Sequence, residues 1–192
     1  MMTDQEPEQP DLVDVHFQPF VRALGNLVIT FALCENELLR LATAIAGGDE
    51  LQAIAILKDR NAKDRVIALV KDLNLSASDT GELVSGIEGF WRDKDIRNRM
   101  IHDEWFPSVL EPGAIHTRGV ARAKQPEMIF GDRSVGEVWA LAQRFQQYGG
   151  LFSYRSWALS RASSLSSNNG LGGSVDRSNA SLRQDVRSDE QN

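Results

Sequence analysis

A single cysteine, Cys34, stands in the whole chain, and no CxxC pair or Cys/His ligand spacing accompanies it. An internal disulfide framework is therefore excluded and a zinc signature is missing, which suits a reducing compartment. A basic-then-apolar leader is also lacking. The first 14 residues, MMTDQEPEQPDLVD, are acidic, and no apolar run approaches the roughly 18 residues of a membrane span. These absences predict a soluble, cytosolic protein with no membrane partner and no bound metal or other cofactor. Lys and Arg are missing from those first 14 residues, which carry −5 of the formal net charge of −6. The segment from Ser160 onward is balanced, so the middle of the chain is close to neutral. That distribution neither demands nor forbids an anionic partner.

Large apolar residues are scarce at both ends. Residues 1–14 hold Pro7 and Pro10 among acids, and residues 160–192 are mostly Ser, Asn, Gly and Arg. Neither stretch can offset the entropy of ordering, so both are predicted to be disordered around one helical domain over 15–159. Within it, Phe20, Leu24, Leu27, Val28, Phe31, Leu38, Ala42 and Ile45 recur at helical steps from about His16 to Ala46. Gly47-Gly48 should stop that helix. A short helix over Asp49–Lys58 and another from an Asn61 cap to Leu73 follow. A fourth is predicted from Ser76 or Ser78 to about Trp105, halted by Pro107. Residues 108–133 lack helical periodicity, and Thr117–Ala123 with Glu127–Phe130 predict a short hairpin or arm made basic by Arg118, Arg122 and Lys124. Ser134 and Glu137 form an S-x-x-E capping box for a last helix to about Tyr154 or Leu159.

At about 100° per residue, the fourth helix gathers Leu83, Val84, Ile87, Phe90, Trp91, Ile101 and Trp105 into one stripe. The same projection puts Asn98 and His102 inside the stripe, Arg97 on its edge and Arg99 outside it. Polar groups on a packing face cost a kcal/mol or more each unless they find partners, so the intrusion marks a candidate site. On the first helix, Glu35 falls between Phe31 and Leu38 on the apolar face while Glu37 points outward. A carboxylate there needs a cation, and Arg97 and Lys94 are both candidates. Other roles stay open: Arg97 could pair with Asp93 four residues earlier, and His102 could be a histidine hydrogen-bonded near a helix end. His16 and His116 read as solvated side chains, and the tryptophans at 91, 105, 139 and 157 as core or interface anchors.

The segment Arg97-Asn98-x-x-x-His102 resembles the Arg-polar-x3-His motif of the HEPN superfamily, helical-bundle proteins that include many RNases of toxin and antiviral systems. The long first helix with its acidic residue, the motif late in a later helix and Trp105 shortly after the His fit as well, and the resemblance spans roughly residues 16–158. It implies an all-α bundle of four to five helices, with an irregular or hairpin arm before the last. It also implies a homodimer in which two motifs meet as one composite site, and metal-independent RNA cleavage leaving 2′,3′-cyclic phosphate ends. In that chemistry His102 would move the proton, Arg97 would stabilise the phosphate and Asn98 would orient the imidazole or a substrate oxygen. Glu35 would support the site from the first helix. RNA is the implied partner, with Arg118, Arg122 and Lys124 as candidate backbone contacts. An antitoxin or regulatory protein is a further implied partner. Where the family commonly has a small residue after the His, this chain has Asp103 and Glu104. That supports an alternative of the same fold, a catalytically inactive module that binds protein or RNA.

Overall fold

The amphipathic N-terminal pattern becomes helix α1, Leu12–Ile45, in the computed structural model, which describes residues 12–107, 115–121 and 127–170. Then follow α2 (Glu50–Lys58), α3 (Ala62–Lys71), α4 (Ala77–His102), strands β1 (Glu104–Pro107), β2 (Ile115–Ala121) and β3 (Glu127–Arg133), and α5 (Val135–Gly170). Local chemistry accounts for most of the ends. Gly47 and Gly48 take φ of 70° and 97°, a left-handed turn that side chains with a Cβ resist, and so terminate α1. Asp49 and Ser76 cap α2 and α4 by accepting from the backbone N–H of Gln52 and Asp79. The capping box opening α5 is complete: Ser134 Oγ accepts from Glu137 N at 3.2 Å, and Glu137 Oε2 accepts from Ser134 N at 2.8 Å. Asn61 holds the cap position of α3, but its side chain makes no capping bond.

The core lies between α1, α4 and α5. Phe31 stacks on Phe90 at 5.9 Å and meets Phe145 edge-on at 5.0 Å, while Phe90 also meets Phe152 edge-on. Each fully buried ring contributes about 1.5–3 kcal/mol. The contacts Phe31–Phe145 and Cys34–Gly149 advance together along the chain, so α1 and α5 run side by side in the same direction. Helix α4 runs against α5, since Asp79 pairs with Arg155 and Asp93 with Arg144. Two glycines allow the close α4–α5 approach: a Cβ on Gly86 would lie 2.5 Å from Leu151 Cδ2, and one on Gly89 would lie 2.7 Å from the Tyr148 hydroxyl.

Several expectations change. The hairpin is part of a three-stranded antiparallel sheet in the order β1-β2-β3, because β1 adds to it with Glu104 opposite Arg118 and Phe106 opposite His116. Helix α4 accordingly stops at His102, short of Trp105, and Pro107 lies in β1 rather than acting as the stop. Strand pairing draws the chain into extended conformation from Asp103, and the Trp105 indole N–H donates to the orphan Met100 carbonyl of the last helical turn at 2.7 Å. Helix α5 continues to Gly170, so residues 160–170 of the expected tail are helical. Adding a residue to an existing helix forms one hydrogen bond for one residue fixed, even where the side chains pack little. Residues 12–14, also expected to be disordered, form the start of α1, where the helix extends ahead of its first core residues. Residues 1–11 and 171–192, on which the remaining disorder expectations fall, lie outside the described residues. Phe17–Ile45 is also long and apolar enough to cross a membrane, a stretch the reading from uninterrupted apolar runs missed. One face of it supplies core residues Phe20, Leu27, Phe31, Leu38 and Leu41.

Candidate functional site

Arg97 sits three-quarters of the way along α4, and its guanidinium lies over the Phe31 ring of α1, 4.4 Å from the centroid. Phe31 is itself held between Phe90 and Phe145, so the platform is rigid. One terminal nitrogen of Arg97 donates to Asn98 Oδ1 at 3.1 Å, while Nε is buried with no partner. Among the described residues Arg97 forms no ion pair. The two carboxylates that could have taken it are engaged elsewhere. Glu35 accepts from Lys94 at 2.9 Å, and Asp93 binds Arg92 and Arg144. Lys94, not Arg97, is therefore the partner of Glu35, and the alternative Arg97–Asp93 bridge is not formed.

His102 is the last residue of α4 and its side chain is exposed, not within the packed stripe as projected. Ending the helix there explains the difference, because no further turn follows to carry apolar cover past it. No described residue hydrogen-bonds its imidazole. Asn98 is half-buried, and its carbonyl oxygen accepts from Arg97, so it positions that guanidinium rather than the imidazole. Of the expected trio, Arg97 and Asn98 are brought together and His102 stands apart on the solvent side.

The acids of α1 exchange roles relative to expectation. The Glu35 side chain is 44 % exposed beside Lys94, whereas Glu37 is 21 % exposed. Glu37 Oε1 accepts from Arg40 at 2.8 Å while its Oε2 is buried without a partner. A long side chain at the margin of a stripe can turn in or out, and helical projection from Cα positions does not decide which. Lys94 reaches Glu35 while its ammonium lies 5.7 Å from the Phe31 ring centroid, so Lys94 and Arg97 share that ring.

On the sheet, Arg118 pairs with Glu104 directly across β1–β2. Arg118 is therefore partly neutralised, and the candidate contacts Arg122 and Lys124 lie outside the described residues. His116 is more than a solvated side chain: its Nδ1 lies 2.5 Å from Asp132 Oδ1 across β2–β3, and its ring meets Phe106 at 5.8 Å. Of the tryptophans, Trp91 and Trp105 pack against the core, while Trp139 and Trp157 are exposed on α5.

A buried charge cluster escaped the sequence reading. Asp93 is 1 % exposed, and its carboxylate accepts from Arg144 Nε at 2.6 Å, from the Tyr148 hydroxyl at 2.9 Å and from Arg92 Nε at 3.2 Å. Burial pushes the Asp93 carboxyl up, and the hydrogen bonds from Arg144, Tyr148 and Arg92 more than reverse this, so it titrates below the ordinary carboxylate value. A signal was present, since Gly86, Gly89, Asp93 and Met100 recur at three-, four- and seven-residue steps and all are buried. It was hidden because Asp93 stands in the charged run Arg92-Asp93-Lys94-Asp95, which resembles a solvated face.

A groove of about 750 Å³ lies elsewhere, between the C-terminal half of α1 and α5, lined by Leu39, Arg40, Thr43, Ser156, Trp157 and neighbours. None of the motif residues lines it. Among the described residues no three His, Cys, Asp or Glu side chains gather as metal ligation would require. Compared with protein-family models, with curated proteins and with solved structures, the chain matches none of them.

Proposed function

We propose that this chain is a metal-independent endoribonuclease of HEPN type that works as a homodimer, with the Arg97-to-His102 segments of two subunits forming one composite site. The observation that carries the reading is the guanidinium of Arg97, which has no ion-pair partner among the described residues. It rests on Phe31 with Nε buried and unpartnered, while Asp93 and Glu35 are taken by other cations. Nε is closed off by the protein, so a phosphate oxygen would be met by the terminal nitrogens of the guanidinium, which no carboxylate among the described residues holds. The five-helix architecture is compatible with the resemblance.

The chemistry follows from the two groups. His102, exposed at the end of α4, takes the proton of a ribose 2′-hydroxyl or delivers one to the leaving 5′-oxygen. The 2′-oxygen bonds to phosphorus as the 5′-oxygen departs, giving a 2′,3′-cyclic phosphate and a 5′-hydroxyl. Arg97 stabilises the charge that builds on the non-bridging oxygens, with its fork held by Asn98. Arg97 reaches inward over α1 and His102 faces solvent, about 140° apart on the helix. A second subunit supplies the missing half of each site.

RNA incubated with purified protein in EDTA is expected to give 2′,3′-cyclic phosphate and 5′-hydroxyl ends, and His102→Ala to lose that cleavage. Intact RNA, or ends of another kind, would remove the proposal. The inactive RNA- or protein-binding reading is favoured by one feature, the Asp103 carboxylate beside His102, which has no ion-pair partner among the described residues. Glu104, by contrast, is neutralised by Arg118. RNA binding without cleavage would support that reading instead.

A further inference from the structure

Asp93 needs one cation to offset its charge, and it has two. Arg92 and Arg144 both approach it through Nε, and the Tyr148 hydroxyl completes its shell. The cluster therefore keeps one net positive charge. Because each arginine is anchored by Nε, the terminal nitrogens that form the phosphate-binding fork remain for another ligand. Neither terminal nitrogen of Arg144 has a hydrogen-bond partner among the described residues. Arg92 spends only Nη2, in a 3.5 Å contact with Tyr148. Both side chains reach solvent, Arg92 at 68 % and Arg144 at 38 % exposed. Arg155, at the other end of the α4–α5 seam, is the contrasting case. It is 12 % exposed and gives one terminal nitrogen to both Asp79 and Glu82, so its charge is matched, although its Nε is buried without a partner.

Position ties this cluster to the candidate site. Arg92, Arg99 and His102 are spaced by seven and three residues, which places them on one stripe of α4, and all three are exposed. Ten residues of helix separate Arg92 from His102 by about 15 Å along the axis. Glu88 and Asp95 share the stripe, and neither forms an ion pair with Arg92 or Arg144 among the described residues. We propose that Arg92 and Arg144, held by Asp93 and Tyr148, are a clamp for a phosphodiester of single-stranded RNA, gripping the strand along α4 from the nucleotide cleaved at His102. The assignment of RNA as the ligand rests on the ribonuclease reading, and the clamp can be tested apart from it.

The probe is a fluorescein-labelled 2′-O-methyl RNA oligonucleotide, which lacks the attacking hydroxyl and cannot be cleaved. Its binding to the full chain is followed by anisotropy across a salt series. Arg92→Gln is expected to weaken binding and to lower the slope of log K against log salt by about 0.7, the value of one lost single-strand phosphate contact. Arg92→Lys should keep the slope and lose part of the affinity, because charge survives and the fork does not. Arg144→Gln should match Arg92→Gln. If Arg144→Gln unfolds, the mostly exposed Arg92 still decides the matter. Unchanged affinity and slope in Arg92→Gln, or no binding by the unaltered chain, would overturn the clamp. Cleavage of ordinary RNA, measured in parallel, separates the two claims. Arg92-dependent binding without cleavage upholds the clamp and removes the ribonuclease, whereas cleavage by a chain whose binding ignores Arg92 does the reverse.

Discussion

Asp93 and Arg97 lie one turn apart on α4, and the fold treats them in opposite ways. Three donors from two helices close on Asp93 and leave it 1 % exposed. Arg97 has an aromatic ring beneath it, one amide oxygen beside it, and a buried Nε with nothing to bond. A saturated buried charge holds two helices in register. An unsatisfied one costs stability; Arg155 Nε is unmet as well, but its terminal nitrogen meets two carboxylates, whereas Arg97 forms no ion pair among the described residues. The same 3.6-residue repeat thus carries a joint and a candidate site along one helix.

The largest expected effect lies at the open end. Replacing His102 by Ala should lower metal-free RNA cleavage by roughly 10²- to 10⁴-fold. Because its side chain is exposed, circular dichroism and Tm should hardly move. Arg97→Lys should recover only part of the activity, since the ammonium lacks the planar fork. Equal rates for wild type and His102→Ala would erase the functional half of the contrast.

Stability should show the reverse pattern. Asp93→Ala leaves Arg92 and Arg144 facing each other without their anion and the Tyr148 hydroxyl without its acceptor; as both arginines reach solvent, urea unfolding should report a loss of about 1–3 kcal/mol. Arg97→Leu removes a donor that is already unmet, so its cost should stay below about 1 kcal/mol. If Arg97→Leu proved as damaging as Asp93→Ala, Arg97 would be a core staple and the two clusters would not differ.

Acid titration sharpens the comparison further. The folded Asp93 carboxyl titrates below its ordinary value. Its contribution is therefore fully present above the unfolded-state pKa of about 3.9, and it fades as pH falls through the lower folded value. Urea midpoints of wild type should fall over that window. Asp93→Asn, lower throughout, should lack this part of the decline. A parallel decline in both proteins would show that other carboxylates govern acid unfolding.

The smallest effect concerns the α1–α5 joint beneath the site. Burial, with Glu35 and Glu37 adding to it, pushes the Cys34 thiol up to about 12. Alkylation by iodoacetamide near pH 8 should be negligible in the folded protein and rapid in urea, as mass spectrometry would record. Fast native labelling would mean that this part of the core opens readily, and that the rigid platform under Arg97 is not rigid.

How much was legible depended on the range of the interaction. The Gly47-Gly48 stop, a serine cap for α4 at 76 or 78 and the Ser134–Glu137 box could be read because their hydrogen bonds and left-handed turn span only a few residues; the structure chose Ser76. The apolar repeat of α1 and the Arg97–Asn98–His102 spacing were legible for the same reason. The end of α4 was not, because it depends on strand pairing between Glu104 and Arg118, 14 positions apart in the chain.

By itself, then, the sequence determined that the chain is mostly helical, where most helices begin, and which short segment places charge against a packing face. The tertiary structure alone decided the pairing of charges: Lys94 to Glu35, and Arg144 with Tyr148 to Asp93, across 51 to 59 positions. Several cations in and around Arg92–Arg99 had comparable local claims on those acids. The choice fell to whichever helix the glycines at 86 and 89 allowed to come close, and Arg97 was left without an ion-pair partner among the described residues.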